Sequence, residues 1–243
     1  MASDARPLGK QAVWHEAHPH PTLLSDFILG GQDGIINVLG IVLGLVAATS
    51  DIRIVFVATL SAMGAESIAM GAVAYTSTLS RRRLYLNERR REIREMAEVP
   101  DIERAEVREV LAGWGYTGAD LDDLLDRICR NPTAMLEFMM SFELKLAPVE
   151  EDAARTSAII VGGATVLGHG IPLVPFLFVG NDLVLGAILA VVASAVTLFA
   201  IGWYEARMTA GQWLRDGIQL AVIGIAGGFA GFLIGHLLSV PGL

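Results

Sequence analysis

The sequence predicts an all-α membrane protein: five transmembrane helices, with a water-soluble helical bundle inserted between spans two and three. Three observations carry this. First, 53% of the 243 residues are hydrophobic and only 18% are charged, and the mean hydropathy is +0.52, whereas soluble domains carry about 25% charge. Second, the charges are segregated: residues 81–152 hold 29 of the 44. Third, the apolar stretches 27–49, 54–79, 156–180, 183–204 and 217–240 are continuous and not alternating. About 20 apolar residues in a helix cross a bilayer, and continuous runs argue against a barrel.

The elements follow in chain order. Residues 1–26 are polar, contain Pro7, Pro19 and Pro21 and lack an apolar leader segment, so they read as an N-terminal arm without a signal peptide. Residues 27–79 supply spans one and two, divided by the polar turn Ser50 to Arg53. Ala72 to Val99 contains neither Gly nor Pro, so span two is expected to continue as a helix beyond the membrane. Pro100 suits the first turn of a new helix. Gly113, Gly115 and Gly118 interrupt that helix, Asp120 to Cys129 forms the next, and Pro132 opens a fourth through Leu146. Residues 80–152 thus form the bundle and 153–243 the last three spans. Pro172 and Pro175 are expected to kink span three.

Arginine sets the orientation. Arg81, Arg82, Arg83, Arg89, Arg90 and Arg91 follow span two, and Arg207 and Arg215 lie between spans four and five. The positive-inside rule therefore places the N-terminus and residues 80–152 in the cytoplasm. A net charge of −8 argues against a nucleic-acid partner. One cysteine, Cys129, excludes an internal disulfide and reads as a core residue.

In the bundle, Glu88, Glu92 and Glu95 are spaced i, i+4, i+7 and share a helix face. Beyond Pro100, Glu103 and Glu106 share another. Two antiparallel helices would point these carboxylates at one another, and such groups repel unless a cation sits between them. The alternative is a solvated acidic face with Arg91, Arg94 and Arg104 as surface partners. Met139, Met140 and Glu143 lie on the fourth helix. Thioether sulfur would favour transition metals over Mg²⁺ and Ca²⁺; alternatively Met135, Leu136, Met139 and Phe142 are a core stripe.

In the spans, Glu66 lies near the middle of span two, where a charge costs about 2.5–3.5 kcal/mol on insertion scales, so function is the default reading. Met63, Glu66 and Met70 make one stripe. Asp33, Asn37, Gly40 and Gly44 make another in span one. These stripes line an ion path or, for the glycines, a close helix–helix contact. The Gly224, Gly228, Gly231 and Gly235 series reads as packing, and His169 and His236 read as buried hydrogen-bonding groups. His15, His18 and His20 cluster in the arm, either as a tethered metal ligand set or as a polar tail. A nucleotide phosphate loop, the Glu-x-x-His pairs of di-iron bundles and a nucleophile beside a base are all missing, which points away from an ATP-driven pump and an enzyme.

These residues resemble the vacuolar iron transporter family. The resemblance runs from Asp33 to Val240 and rests on Gln32-Asp33-Gly34, on Glu-Ser-Ile-Ala-Met-Gly in span two, on Val-Pro-Asp-Ile-Glu-Arg-Ala-Glu at 99–106 and on Leu-Glu-Phe-Met-Met-Ser-Phe-Glu-Leu at 136–144. It implies a five-span homodimer with a cytoplasmic metal-binding domain, whose ligands match Glu92, Glu95, Glu103, Glu106, Met139, Met140 and Glu143. The path residues it implies match Asp33 and Met70; Asn37, Met63 and Glu66 come from the stripes. The expected substrate is Fe²⁺, with Mn²⁺, Co²⁺, Ni²⁺ or Zn²⁺ as further ions, and the expected partners are protons and the lipid bilayer. The short polar termini suggest a bacterial plasma membrane. The expected function is proton-coupled export of Fe²⁺; the alternative is a membrane-anchored iron buffer or sensor, for which Glu66 would have no use.

Overall fold

A computed structural model describes residues 21–209 and 211–238, and every regular element among them is helical. The helices are α1 (Pro21–Ala48), α2 (Ile52–Glu98), α3 (Pro100–Gly113), α4 (Gly118–Cys129), α5 (Pro132–Phe138), α6 (Ala153–Leu173), α7 (Leu183–Met208) and α8 (Trp213–Leu238). A π-helical turn, Met139–Glu143, continues α5, and a 3₁₀ turn, Val174–Leu177, continues α6. Five helices are long and apolar enough to cross a membrane: α1, α2, α6 with its 3₁₀ turn, α7 and α8.

The continuous second helix is present. α2 spans 47 residues, with Asp51 capping its N-terminus by accepting from the Arg53 amide, so it joins the apolar region to the charged one at about 1.5 Å per residue. Two details depart from the sequence expectation, at the start of α1 and at the end of the fourth bundle helix. α1 begins at Pro21, inside the stretch read as an arm, because proline fits a first helical turn. α6 contains Pro172 and passes at Val174 into the 3₁₀ turn. The tighter turn absorbs the loss of the Pro175 amide. The fourth bundle helix is α-helical only to Phe138.

α1 is the central span and packs most extensively on α6 and α8, while α2 packs on α6 and α7 on α8. Val38, Leu39, Val42 and Val55 join Phe176, Leu183 and Ala190 in one buried cluster. The glycine stripes do serve packing: a Cβ at Gly44 would stand 2.9 Å from the Gly231 carbonyl oxygen, so α1 and α8 touch backbone to backbone. Outward faces stay apolar. On α7, Val184, Ile188, Val192 and Val196 are all more than half exposed, a face suited to lipid. The bundle has its own core, in which Val107, Leu111, Leu121, Leu125, Met135, Phe138 and Met139 are buried together. Cys129 is only half-buried, at the edge of that core.

Candidate functional site

Two acidic clusters occupy different regions. The first is built where α2 turns back into α3. Val99 closes one helix and opens the next, with Pro100 at the first position of α3. The reversal lays Glu103 against Glu92 and Glu95, and one carboxylate oxygen from each lies within 4.8 Å of the others. Glu92 is 4% exposed and Glu103 2%. The Oε2 atoms of Glu92, Glu103 and Glu143 are buried without a hydrogen-bond partner. Unpartnered buried acceptors are costly, and here three occur in one place.

The electrostatics agree. Burial, then the charges of Glu92 and Glu106, push Glu103 up to about 7. Burial, then Glu106 and Glu92, push Glu143 up to about 7 as well. Burial also raises Glu92, against a hydrogen bond that it accepts from Glu103. The bases do not neutralise this group. Arg104 turns away to Asp126, and Arg91 serves the rim, reaching Glu95 at 3.0 Å and Glu88 at 3.6 Å. A solvated acidic face therefore describes Glu88 and Glu95 but not Glu92 and Glu103.

Both methionines are interior, and the π turn is the reason. It carries Met139 into the bundle core and Met140 into a second cluster with Tyr85 and Leu136. Successive α-helical residues diverge by about 100°, and a π bulge re-aims the following side chains. Glu143, at the end of that turn, thereby turns Oε2 inward. Phe142 leaves the expected core stripe: it is 49% exposed and meets Trp114 edge-on, ring centroids 4.8 Å apart.

The second cluster lies among the apolar helices. Asn37 on α1 donates to Glu66 Oε1 on α2. His169 Nε2 on α6 lies 2.9 Å from Glu66 Oε2. Asp33 is within hydrogen-bonding reach of Glu66. Met63 and Met70 are half-buried on α2, three residues before and four after Glu66. An open groove of about 770 Å³ runs along α1 and α8 past Asp33, Asn37, Gly40 and Gly44. From the sequence alone His169 is only a buried hydrogen-bonding group, with no link to Glu66. The available signal was that α6 holds one ionisable residue deep in its apolar run, as does α2. His15, His18 and His20 lie outside the described residues.

The chain has relatives along most of its length. A vacuolar iron transporter of Arabidopsis thaliana is 33% identical over 232 residues, covering 93% of this chain and 91% of its own. One from Eucalyptus grandis is 33% identical over 86% of this chain and 84% of its own. One from Plasmodium falciparum is 28% identical over 89% and 82%. Five membrane-length apolar helices and relatives of this kind make the chain a multi-pass membrane protein. The profile of the VIT family matches residues 24–236, from the first turn of α1 to the last of α8, and the chain belongs to that family.

Proposed function

We propose that this protein exports Fe²⁺ from the cytoplasm in exchange for protons, with Mn²⁺, Co²⁺, Ni²⁺ and Zn²⁺ as further substrates. The observation that carries the reading is the carboxylate of Glu66, tied to α1 and α6 within the apolar helices. A buffer or a sensor anchored in a bilayer has no need of it, and a charged residue there marks an ion path. Residues 80–152 are the cytoplasmic metal-binding domain. Glu92, Glu95, Glu103, Glu106 and Glu143 collect the ion there, with the Met139 and Met140 sulfurs as soft ligands that favour iron over Mg²⁺. Asp33, Asn37, Met63, Glu66 and Met70 line the path.

Coupling follows from energetics. Moving a divalent cation out of an inside-negative cell costs about 4.6 kcal/mol per 100 mV, twice the single-charge figure. The sequence carries no nucleotide phosphate loop, so the proton gradient supplies this work. The arginines after Thr78 orient residues 80–152 inward. The protein functions as a homodimer in a bacterial plasma membrane, with its N-terminus cytoplasmic. The iron named by its relatives supports the substrate.

The test is Fe²⁺ uptake into liposomes containing the protein, with and without an imposed pH gradient. Uptake should rise with the gradient and collapse on adding a protonophore. Binding without flux would establish the buffer instead.

A further inference from the structure

His169 is the one fully buried ionisable side chain among the described residues of the apolar helices; none of its surface is exposed. Its ring is held from two sides. Nδ1 lies 2.7 Å from the carbonyl oxygen of Thr165, one turn earlier on α6. The Thr165 hydroxyl is itself engaged, donating to the Val161 carbonyl at 2.8 Å. A carbonyl only accepts, so Nδ1 carries a hydrogen. Nε2 then faces Glu66 Oε2 at 2.9 Å. That contact is a hydrogen bond in either proton arrangement, since an imidazolium donates to a carboxylate and a neutral ring accepts from a carboxylic acid.

The seat for this ring is prepared by α1. A Cβ at Gly34 would stand 2.8 Å from His169 Nδ1, so a side chain there would displace the ring. Gly34 directly follows Asp33. The same turn of α1 thus carries a path residue and leaves the room that the histidine needs. Asp33 and Asn37 face Glu66 from α1, and His169 faces it from α6.

We propose that His169 is a positioning residue for transport: fixed by Thr165 and seated against Gly34, it holds the Glu66 carboxylate in one orientation across the path. The inference rests on the proposed function, because it assumes that Glu66 lines that path. Without the imidazole, Glu66 keeps its Asn37 contact through Oε1, but Oε2 loses its anchor and the carboxylate can rotate. Loading takes place at the separate bundle, so the loss falls on the maximal rate and not on the iron concentration that half-saturates it.

The test compares His169→Gln with His169→Asn in the full chain. The Gln amide reaches the place of Nε2 and can still donate to Glu66, whereas the Asn amide reaches only the place of Nδ1. His169→Gln should keep roughly half of the maximal Fe²⁺ flux or more, and His169→Asn should lose about tenfold, the range for loss of an orienting partner. Equal rates in the two variants, or a loss confined to half-saturation, would overturn the proposal. A second measurement needs no change at His169. In ¹⁵N-histidine-labelled protein its Nε2 signal must move on Glu66→Gln, and an unmoved signal rejects the contact. Wild-type protein that moves no iron would remove the transport reading, while the nitrogen signal still tests the contact.

Discussion

The two acidic clusters are built in opposite ways. In the bundle, Glu92, Glu103 and Glu143 bury oxygens that no protein group satisfies, and burial, then the neighbouring carboxylates, raises Glu103 and Glu143. Among the apolar helices, Glu66 has both oxygens engaged, by Asn37 and by His169. Like charges left unpaired in one place suit a cation arriving from water, which would replace the missing partners. A carboxylate already satisfied by protein donors can be carried inside lipid without an ion. On the proposed function, collection and passage ask for different polar environments, and α2 runs unbroken from Glu66 to Glu95 to join the two.

The largest expected effect breaks the bundle side of this contrast. Glu103→Ala combined with Glu106→Ala removes one apposed carboxylate and one neighbour, and should weaken Mn²⁺ or Fe²⁺ binding by about a hundredfold, close to 2.7 kcal/mol. Calorimetry on the full chain measures it, and unchanged affinity would take the metal site away from this cluster.

The next effect lies on the membrane side. Glu66→Gln keeps the shape and the capacity to hydrogen-bond but cannot ionise. Flux driven by a pH gradient should fall by about tenfold or more, in the range that a proton-transferring side chain contributes, while bundle affinity stays at the wild-type value. A variant that retains the full pH dependence would transfer proton coupling to Asp33 or to another residue.

The smallest effect sharpens the comparison through pH. Glu103 and Glu143 titrate near 7 in the folded bundle against about 4.3 for a free glutamate. Between those values the folded state holds protons that the unfolded state has released. Stability without metal therefore falls as pH rises through this window. The melting midpoint, followed by tryptophan fluorescence, should drop by at least several degrees from pH 5 to pH 8, since each 1 kcal/mol lost lowers it by about 2–4 °C, and millimolar Mn²⁺ at pH 8 should restore it. A midpoint that rises over the same interval would contradict the raised carboxylates.

Much of the architecture is legible in residue order. Apolar run length reveals five spans, because lipid tolerates little else, and the Gly- and Pro-free stretch from Ala72 to Val99 announces the long helix. Carboxylate spacing places Glu92 beside Glu95, and Pro100 signals the reversal that brings Glu103 back. Local rules could not decide the rest. The π turn at Met139–Glu143 changes which side chains point inward, and nothing in its composition separates it from an α-helix. Whether Arg104 neutralises Glu103 or turns to Asp126 depends on where α4 packs. Glu66 and His169 stand 103 positions apart and meet only because α2 and α6 pack together. Periodicity records which face a residue occupies on its own helix. Tertiary packing alone chooses the face that lies opposite.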